Sequence, residues 1–129
     1  MVFVDTSVWV DYLKGKNSEL VSEINMLLDK DEIALAAPVW IEILSGASRA
    51  ELSKIKRVFS ALPRFYPEKD CWDQIEVWIE QGSQQGHRFA SGDLLIAAIG
   101  FKNEGKIWSL DSDFKRLAKL QFVDTYSPL

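Results

Sequence analysis

The N-terminal run Val2-Phe3-Val4 constrains this chain most, because it is apolar without alternation and stops abruptly at Asp5. A strand with no polar face is covered on both sides, as in parallel sheets layered between helices. Behind it, Val8-Trp9-Val10-Asp11-Tyr12-Leu13 has helical spacing and closes at Lys14-Gly15. A carboxylate therefore stands where a buried strand hands over to a helix. In open α/β sheets, ligands bind in the crevice outside these strand ends. The plainer reading is that Asp5 or Thr6 caps the helix, since both side chains accept backbone N–H bonds there. Asp5 alone does not decide between the two.

The same handover recurs along the chain. Ser18 is placed to cap a helix to Lys30, with Leu20, Val21, Ile24, Leu27 and Leu28 on one face. Ile33-Ala34-Leu35-Ala36 reads as a second buried strand. It leads to a helix with Pro38 at its first position, where a missing N–H costs nothing. Glu42 is the exception on that otherwise apolar helix, which ends near Ser45-Gly46. Ser48-Arg49-Ala50-Glu51 has the form of a capping box and opens a helix placing Leu52, Ile55, Phe59 and Leu62 together. A short extended segment is expected at Arg64-Phe65-Tyr66. The next helix starts near Lys69, with Trp72, Ile75, Ile79 and Gly82 on its inner face.

Gln81 to Gly92 is polar and glycine-punctuated, a loop or helix end. Asp93 then opens a run to Phe101 that is apolar on every side, and such a helix belongs in the middle of a domain. Lys106 to Leu110 reads as a third strand ended by Asp111. A helix over Ser112–Leu120 and a last strand over Gln121–Asp124 follow. Strands alternating with helices imply an α/β layer fold with a largely parallel sheet. No repeat or linker interrupts it, so residues 1–129 read as one domain.

The net charge of −4 argues against a nucleic-acid coat protein but not against an enzyme with a local basic rim. His87 is the only histidine, which excludes two-histidine acid–base chemistry, and its polar, glycine-flanked setting reads as exposed loop. Cys71 stands alone, so there is no disulfide framework and no cysteine-rich zinc site. The apolar run Leu94–Phe101 is too short to span a bilayer, and the N-terminus lacks a signal-peptide pattern. A cytoplasmic protein is the expectation. Lys54, Lys56 and Arg57, or Lys115, Arg116 and Lys119, are either solvated helix faces or contacts to a nucleic-acid backbone. Five tryptophans mostly serve packing, with Trp9 and Trp40 also candidates for protein interfaces.

Four acids stand out by context. Asp5 and Asp111 end predicted strands, Asp93 opens the central helix, and Glu42 lies early in an apolar one. Each has a structural excuse as cap, helix-dipole partner or ion pair. If they converge, a cluster of hard oxygen ligands with no cysteine selects Mg²⁺ or Mn²⁺ over zinc or copper.

Val4-Asp5-Thr6-Ser7, Pro38 to Glu42 with Leu44 and Gly46, Gly92-Asp93-Leu94-Leu95-Ile96-Ala97-Ala98, and Ser109-Leu110-Asp111-Ser112-Asp113-Phe114 resemble, in order, the motifs of PIN-domain ribonucleases. Within that superfamily the chain is most similar to the VapC toxins of toxin–antitoxin modules, especially over Asp5 to Gly15. The resemblance implies a three-layer α/β/α sandwich with a five-stranded, mainly parallel sheet. It implies a metal-dependent endoribonuclease with Asp5, Glu42, Asp93 and Asp111 as catalytic acids. Asp5, Asp93 and Asp111 would be the metal ligands, and Ser7, Ser109 and Asp113 their support. Asp113 competes with Asp111 for the fourth place; Asp111 is favoured because it follows the strand directly. RNA as substrate, a homodimer and a VapB-like antitoxin are implied in the same way. Gln84-Gln85-Gly86-His87-Arg88 carries less basic charge than many relatives there. The alternatives are a PIN nuclease of RNA processing or a catalytically silent RNA- or protein-binding module. A phosphoaspartyl phosphatase needs a second Asp at the position held by Ser7, and a phospho-receiver needs an acidic pair that Asp5 lacks.

Overall fold

The computed structural model describes residues 1–128. The order is β1 (Val2–Val4), α1 (Thr6–Lys14), α2 (Ser18–Asp29), β2 (Ile33–Ala36), α3 (Ala37–Gly46), α4 (Arg49–Phe59), β3 (Arg64–Phe65), α5 (Lys69–Gln84), α6 (Ser91–Lys102), β4 (Lys106–Trp108), α7 (Ser112–Lys119) and β5 (Asp124–Thr125). The five strands form one parallel sheet in the order β3-β2-β1-β4-β5. Val2 pairs with Ile33 on one side and Lys106 on the other, so β1 is the central strand. Its three residues and all four of β2 are buried, as expected for strands covered on both faces.

The chain winds from β1 outward to β3, then crosses back to β4 and winds out to β5. Right-handed crossovers place α1–α4 on one face and α5–α7 on the other. The packing agrees: α1 contacts α2 and α3, and α6 contacts α5 and α7. The reversal of direction falls between β1 and β4, the topological switch point where such sheets bind ligands. α3 and α6 come from opposite layers and touch each other.

The two edges of the sheet are finished differently. Where strands feed helices, Asp5, Ala36 and Asp111 occupy the N-cap positions in extended conformation. Where helices feed strands, Asp31, Glu104 and Gln121 sit at φ of 54°, 53° and 64°. Each is the left-handed residue of a Schellman turn. Glu32 N–H donates to Leu27 O, Gly105 N–H to Gly100 O and Phe122 N–H to Leu117 O.

α6 is seated with almost no clearance. A Cβ on Gly100 would lie 2.6 Å from Ile107 Cδ1, and one on Gly105 would lie 2.5 Å from the Phe3 ring. The end of the central helix and the turn after it thus press on β4 and β1 at glycines, against the tip of Ile107 and the Phe3 ring.

Several local expectations are corrected. Asn17, not Ser18, caps α2, its side chain accepting from Leu20 N–H at 3.2 Å. Pro38 is preceded within α3 by Ala37. The inner face of α5 is Cys71, Ile75, Trp78 and Gly82, while Trp72 and Ile79 are 52% and 53% exposed. Trp78 wins because it stacks on Phe122 at 4.9 Å and meets Phe101 edge-on at 5.5 Å. β4 ends at Trp108, and β5 begins at Asp124 because Gln121 is spent on the turn. Trp9, Trp78 and Trp108 are buried in the core. Glu51 accepts from Ser48 N–H at 3.2 Å, the expected capping-box bond.

Candidate metal centre

Asp5 leaves β1 directly into the crevice and is the one buried charged residue among those described, at 6% exposure. It holds the N-cap position of α1 but its side chain caps nothing. Oδ2 instead accepts from Ser7 Oγ at 2.9 Å and from Ser109 Oγ at 2.7 Å. Ser109 follows β4, so its hydroxyl crosses the switch point to reach the acid of the neighbouring strand. Ser7 Oγ in turn accepts from Leu110 N–H at 3.0 Å, and Ser109 Oγ from Asp111 N–H at 3.0 Å. Both serines foreseen as supporting residues thus stitch β1's end to the β4–α7 connection.

On α6, Asp93 sits in the first turn and is not the cap; Ala90 holds that position without a side-chain bond. Asp111 does cap its helix, accepting from Asp113 N–H at 3.0 Å. Asp93, Asp111 and Asp113 each turn a carboxylate oxygen into one cluster, all three lying within 4.8 Å of one another. Asp111 and Asp113 therefore both reach the cluster. Asp5 lies outside this triad, although it is near enough to act on Asp93 electrostatically. Glu42 on α3 is exposed, and its Oε1 is 3.7 Å from where a Gly92 Cβ would lie. That places it against the start of α6, beside Asp93.

The electrostatics follow from this crowding. Asp93 is pushed up to about 7, first by partial burial, then by the charges of Asp111, Asp5 and Asp113, and last by its hydrogen bond with Asp113. Its place in a helix's first turn, which favours a negative charge, does not offset this burial and repulsion. Without a cation, Asp93 keeps its proton up to about pH 7.

The donor set fits a hard divalent ion: carboxylates only, with neither sulfur nor imidazole in the cluster. Gathered carboxylates that repel one another are what a bound cation would neutralise.

His87 lies outside this arrangement, half-buried and stacked on Phe89 at 6.0 Å. Of the basic residues, Lys54, Lys56, Arg57, Lys115 and Lys119 are exposed. Arg116 is not free: its Nη2 donates to Asp113 Oδ1 at 2.6 Å. In the sequence it was indistinguishable from its lysine neighbours; the signal was its place three residues after Asp113, one helical turn on.

Beside Glu42, a groove of ≈ 400 Å³ runs between α1, α3 and α4, lined by Val10, Leu13, Ile43, Ala47 and Ile55 among others. None of the helices is long and apolar enough to cross a membrane, among the residues described.

A family model described as PIN domain matches residues 2–120. The ribonuclease VapC11 of Mycobacterium tuberculosis is 30% identical over 129 residues, covering 93% of each chain. Among solved structures, a chain of Rickettsia felis VapBC2, bound to a DNA fragment from its promoter, superposes with a TM-score of 0.81 at 19% identity, covering 98% of both chains. A chain of VapBC-1 from nontypeable Haemophilus influenzae gives a TM-score of 0.80 at 15% identity, again covering 98% of both.

Proposed function

The chain belongs to the PIN-domain family, and on that premise we propose that residues 1–129 act as one domain, a Mg²⁺- or Mn²⁺-dependent endoribonuclease that is the toxin of a toxin–antitoxin pair. The observation that carries the reading is the meeting of Asp93, Asp111 and Asp113 at the switch point, with Asp5 and Glu42 beside them. The VapC11 relative, named a ribonuclease, supports the choice of RNA.

In this reading Asp93, Asp111 and Asp113 hold the ion, and Asp5 borders it with an orientation fixed by Ser7 and Ser109. When bound, such an ion neutralises charge on the phosphate and activates water for in-line attack. Glu42 adds negative charge from the opposite layer. A pocket of five carboxylates repels a polyanion, so the acids themselves make RNA binding conditional on the cation. No histidine reaches the cluster to serve as a general base, and the products are a 5′-phosphate and a 3′-hydroxyl. Exposed lysines on α4 and α7 are the candidate backbone contacts.

The partner reading rests on shape and charge. A Klebsiella pneumoniae chain with this fold comes from a toxin–antitoxin complex. Here the apolar groove accepts a helix of a VapB-like antitoxin, and the acidic pocket at its end accepts a basic side chain. The toxin itself is a homodimer.

One experiment tests these parts. Single-stranded RNA is incubated with the protein in Mg²⁺, in excess chelator, and in Mg²⁺ with the small protein encoded beside it. Cleavage is expected in the first arm alone, with light scattering giving a dimer at micromolar concentration. Undiminished cleavage in chelator removes the metal mechanism. Cleavage unaffected by the neighbouring protein removes the antitoxin, and a monomer removes the dimer.

A further inference from the structure

Arg116 makes more contacts than a surface arginine needs. From α7 its Nη2 donates to Asp113 Oδ1 at 2.6 Å and to the backbone carbonyl of Arg88 at 3.3 Å. Its Cζ lies 4.6 Å from the centre of the Phe89 ring. Arg88 and Phe89 belong to the connection that leads into α6, shortly before Asp93. An ion pair between side chains that are 37% and 32% exposed adds little by itself. What distinguishes this one is that a single planar group serves a carboxylate, a carbonyl and an aromatic face together. Guanidinium has the fork and the flat surface for that; ammonium has neither.

The contacts also join two elements that the acids drive apart. Asp111 and Asp113 come from the start of α7, whereas Asp93 comes from α6. Their mutual repulsion favours separation of the two helix starts. Arg116 places a positive charge against Asp113 and fastens α7 to the connection ahead of α6.

We propose that Arg116 is a positioning residue, which fixes the Asp113 carboxylate and straps α7 to the residue 88–89 backbone so that Asp93, Asp111 and Asp113 face one another. This rests on the reading of that cluster as a divalent-cation site. Arg116 touches neither ion nor substrate; it acts through Asp113, as residues behind a metal ligand commonly do.

Mn²⁺ alone, titrated calorimetrically into the RNA-free full-length protein, provides the test. Arg116→Lys keeps the charge but loses the fork, and should weaken Mn²⁺ binding by about tenfold or more. Arg116→Met removes a positive charge near the site, which by charge alone would tighten cation binding. Weakening in this variant too marks geometry as the cause. Circular dichroism checks that each variant is folded. If the Arg116 variants do not fold, Phe89→Leu keeps both charged groups, and removing the ring should weaken Mn²⁺ binding about two- to fivefold.

Mn²⁺ affinity unchanged in Arg116→Lys overturns the proposal. So does a variant whose only defect is a higher KM for RNA with a shallower salt dependence, because that makes Arg116 a phosphate contact. Asp93→Asn separates the two levels. If it leaves Mn²⁺ binding intact, the cation site itself is wrong and the strap has nothing to position. If it abolishes binding while Arg116→Lys does not disturb it, only the strap fails.

Discussion

The two edges of the sheet are both rich in turns and acids, yet they treat their acids in opposite ways. At the edge where helices feed strands, Asp31 and Glu104 are carried by Schellman turns whose hydrogen bonds are backbone to backbone. At the edge where strands feed helices, Asp5, Asp93, Asp111 and Asp113 are directed at one another or at serine hydroxyls. The first edge satisfies its backbone groups within its own turns; the second crowds its carboxylates together, with Arg116 set against Asp113 alone. An acid in a turn is therefore uninformative until one knows which way the chain is crossing the sheet. Even within the second edge there is a gradient. Asp5 is buried and held by two hydroxyls, while Asp93 competes with its neighbours for protons.

The largest effect should come from removing one charge at each edge. Asp93→Asn should lower RNA cleavage by orders of magnitude and abolish the rise in melting temperature that Mg²⁺ gives the wild type. Glu104→Gln should leave both untouched. Cleavage assays and thermal melts with and without Mg²⁺ read both, and an active Asp93→Asn protein would erase the distinction between the edges.

A smaller effect is the pH dependence of the metal-free protein. Asp93 binds its proton more tightly folded, at about 7, than its ordinary value of 3.8. A raised folded pKa means stability that is complete below the ordinary value and lost as pH rises through the folded one. In chelator, Asp93→Asn and wild type should melt alike only below about pH 4, and the gap should open from there up to about pH 7. The mutant should melt higher by a few degrees near about pH 8. A gap that does not widen with pH would mean that the acids are not crowded.

The smallest effect belongs to the other edge. Gln121 holds a left-handed conformation that costs a non-glycine residue about 1 kcal/mol or more. Gln121→Gly should therefore stabilise the protein by about 0.5–1 kcal/mol in chemical denaturation, with cleavage unchanged. Glycine at Asp111, where φ is −84°, has no such strain to relieve and removes a helix cap.

Much of this was legible in the chain. Val2–Val4 and Ile33–Ala36 have no polar face, which dictated parallel strands between helices, and Asp5 and Asp93 were marked by the apolar runs beside them. The phase of α5 was not legible, because Trp72-Ile75-Ile79 and Cys71-Ile75-Trp78 fit helical spacing equally well. Only Phe101 and Phe122, distant in sequence, select the second. β5 was misplaced since Phe122 and Val123 are buried as a strand would be, but serve the turn and its packing. Asp113 was marked as a support or rival of Asp111, but its pairing with Arg116 was hidden for another reason. Whether a side chain in a helix's first turns reaches a neighbour depends on where the helix begins, and composition does not fix that within a residue or two.

α6 runs from one edge to the other, and its tight seat at Gly100 has a genetic consequence. Asp93 lies seven residues away, roughly 10 Å along the axis at 1.5 Å per residue. An added methyl at Gly100 meets the tip of Ile107, which can turn aside, whereas a larger side chain there forces the helix that carries the acid to tilt or slide. Selection for a working pocket is therefore exerted on a position with no chemistry of its own. A screen for inactive variants should return that glycine beside the carboxylates, and sequence drift along this helix is confined by steric fit as much as by charge.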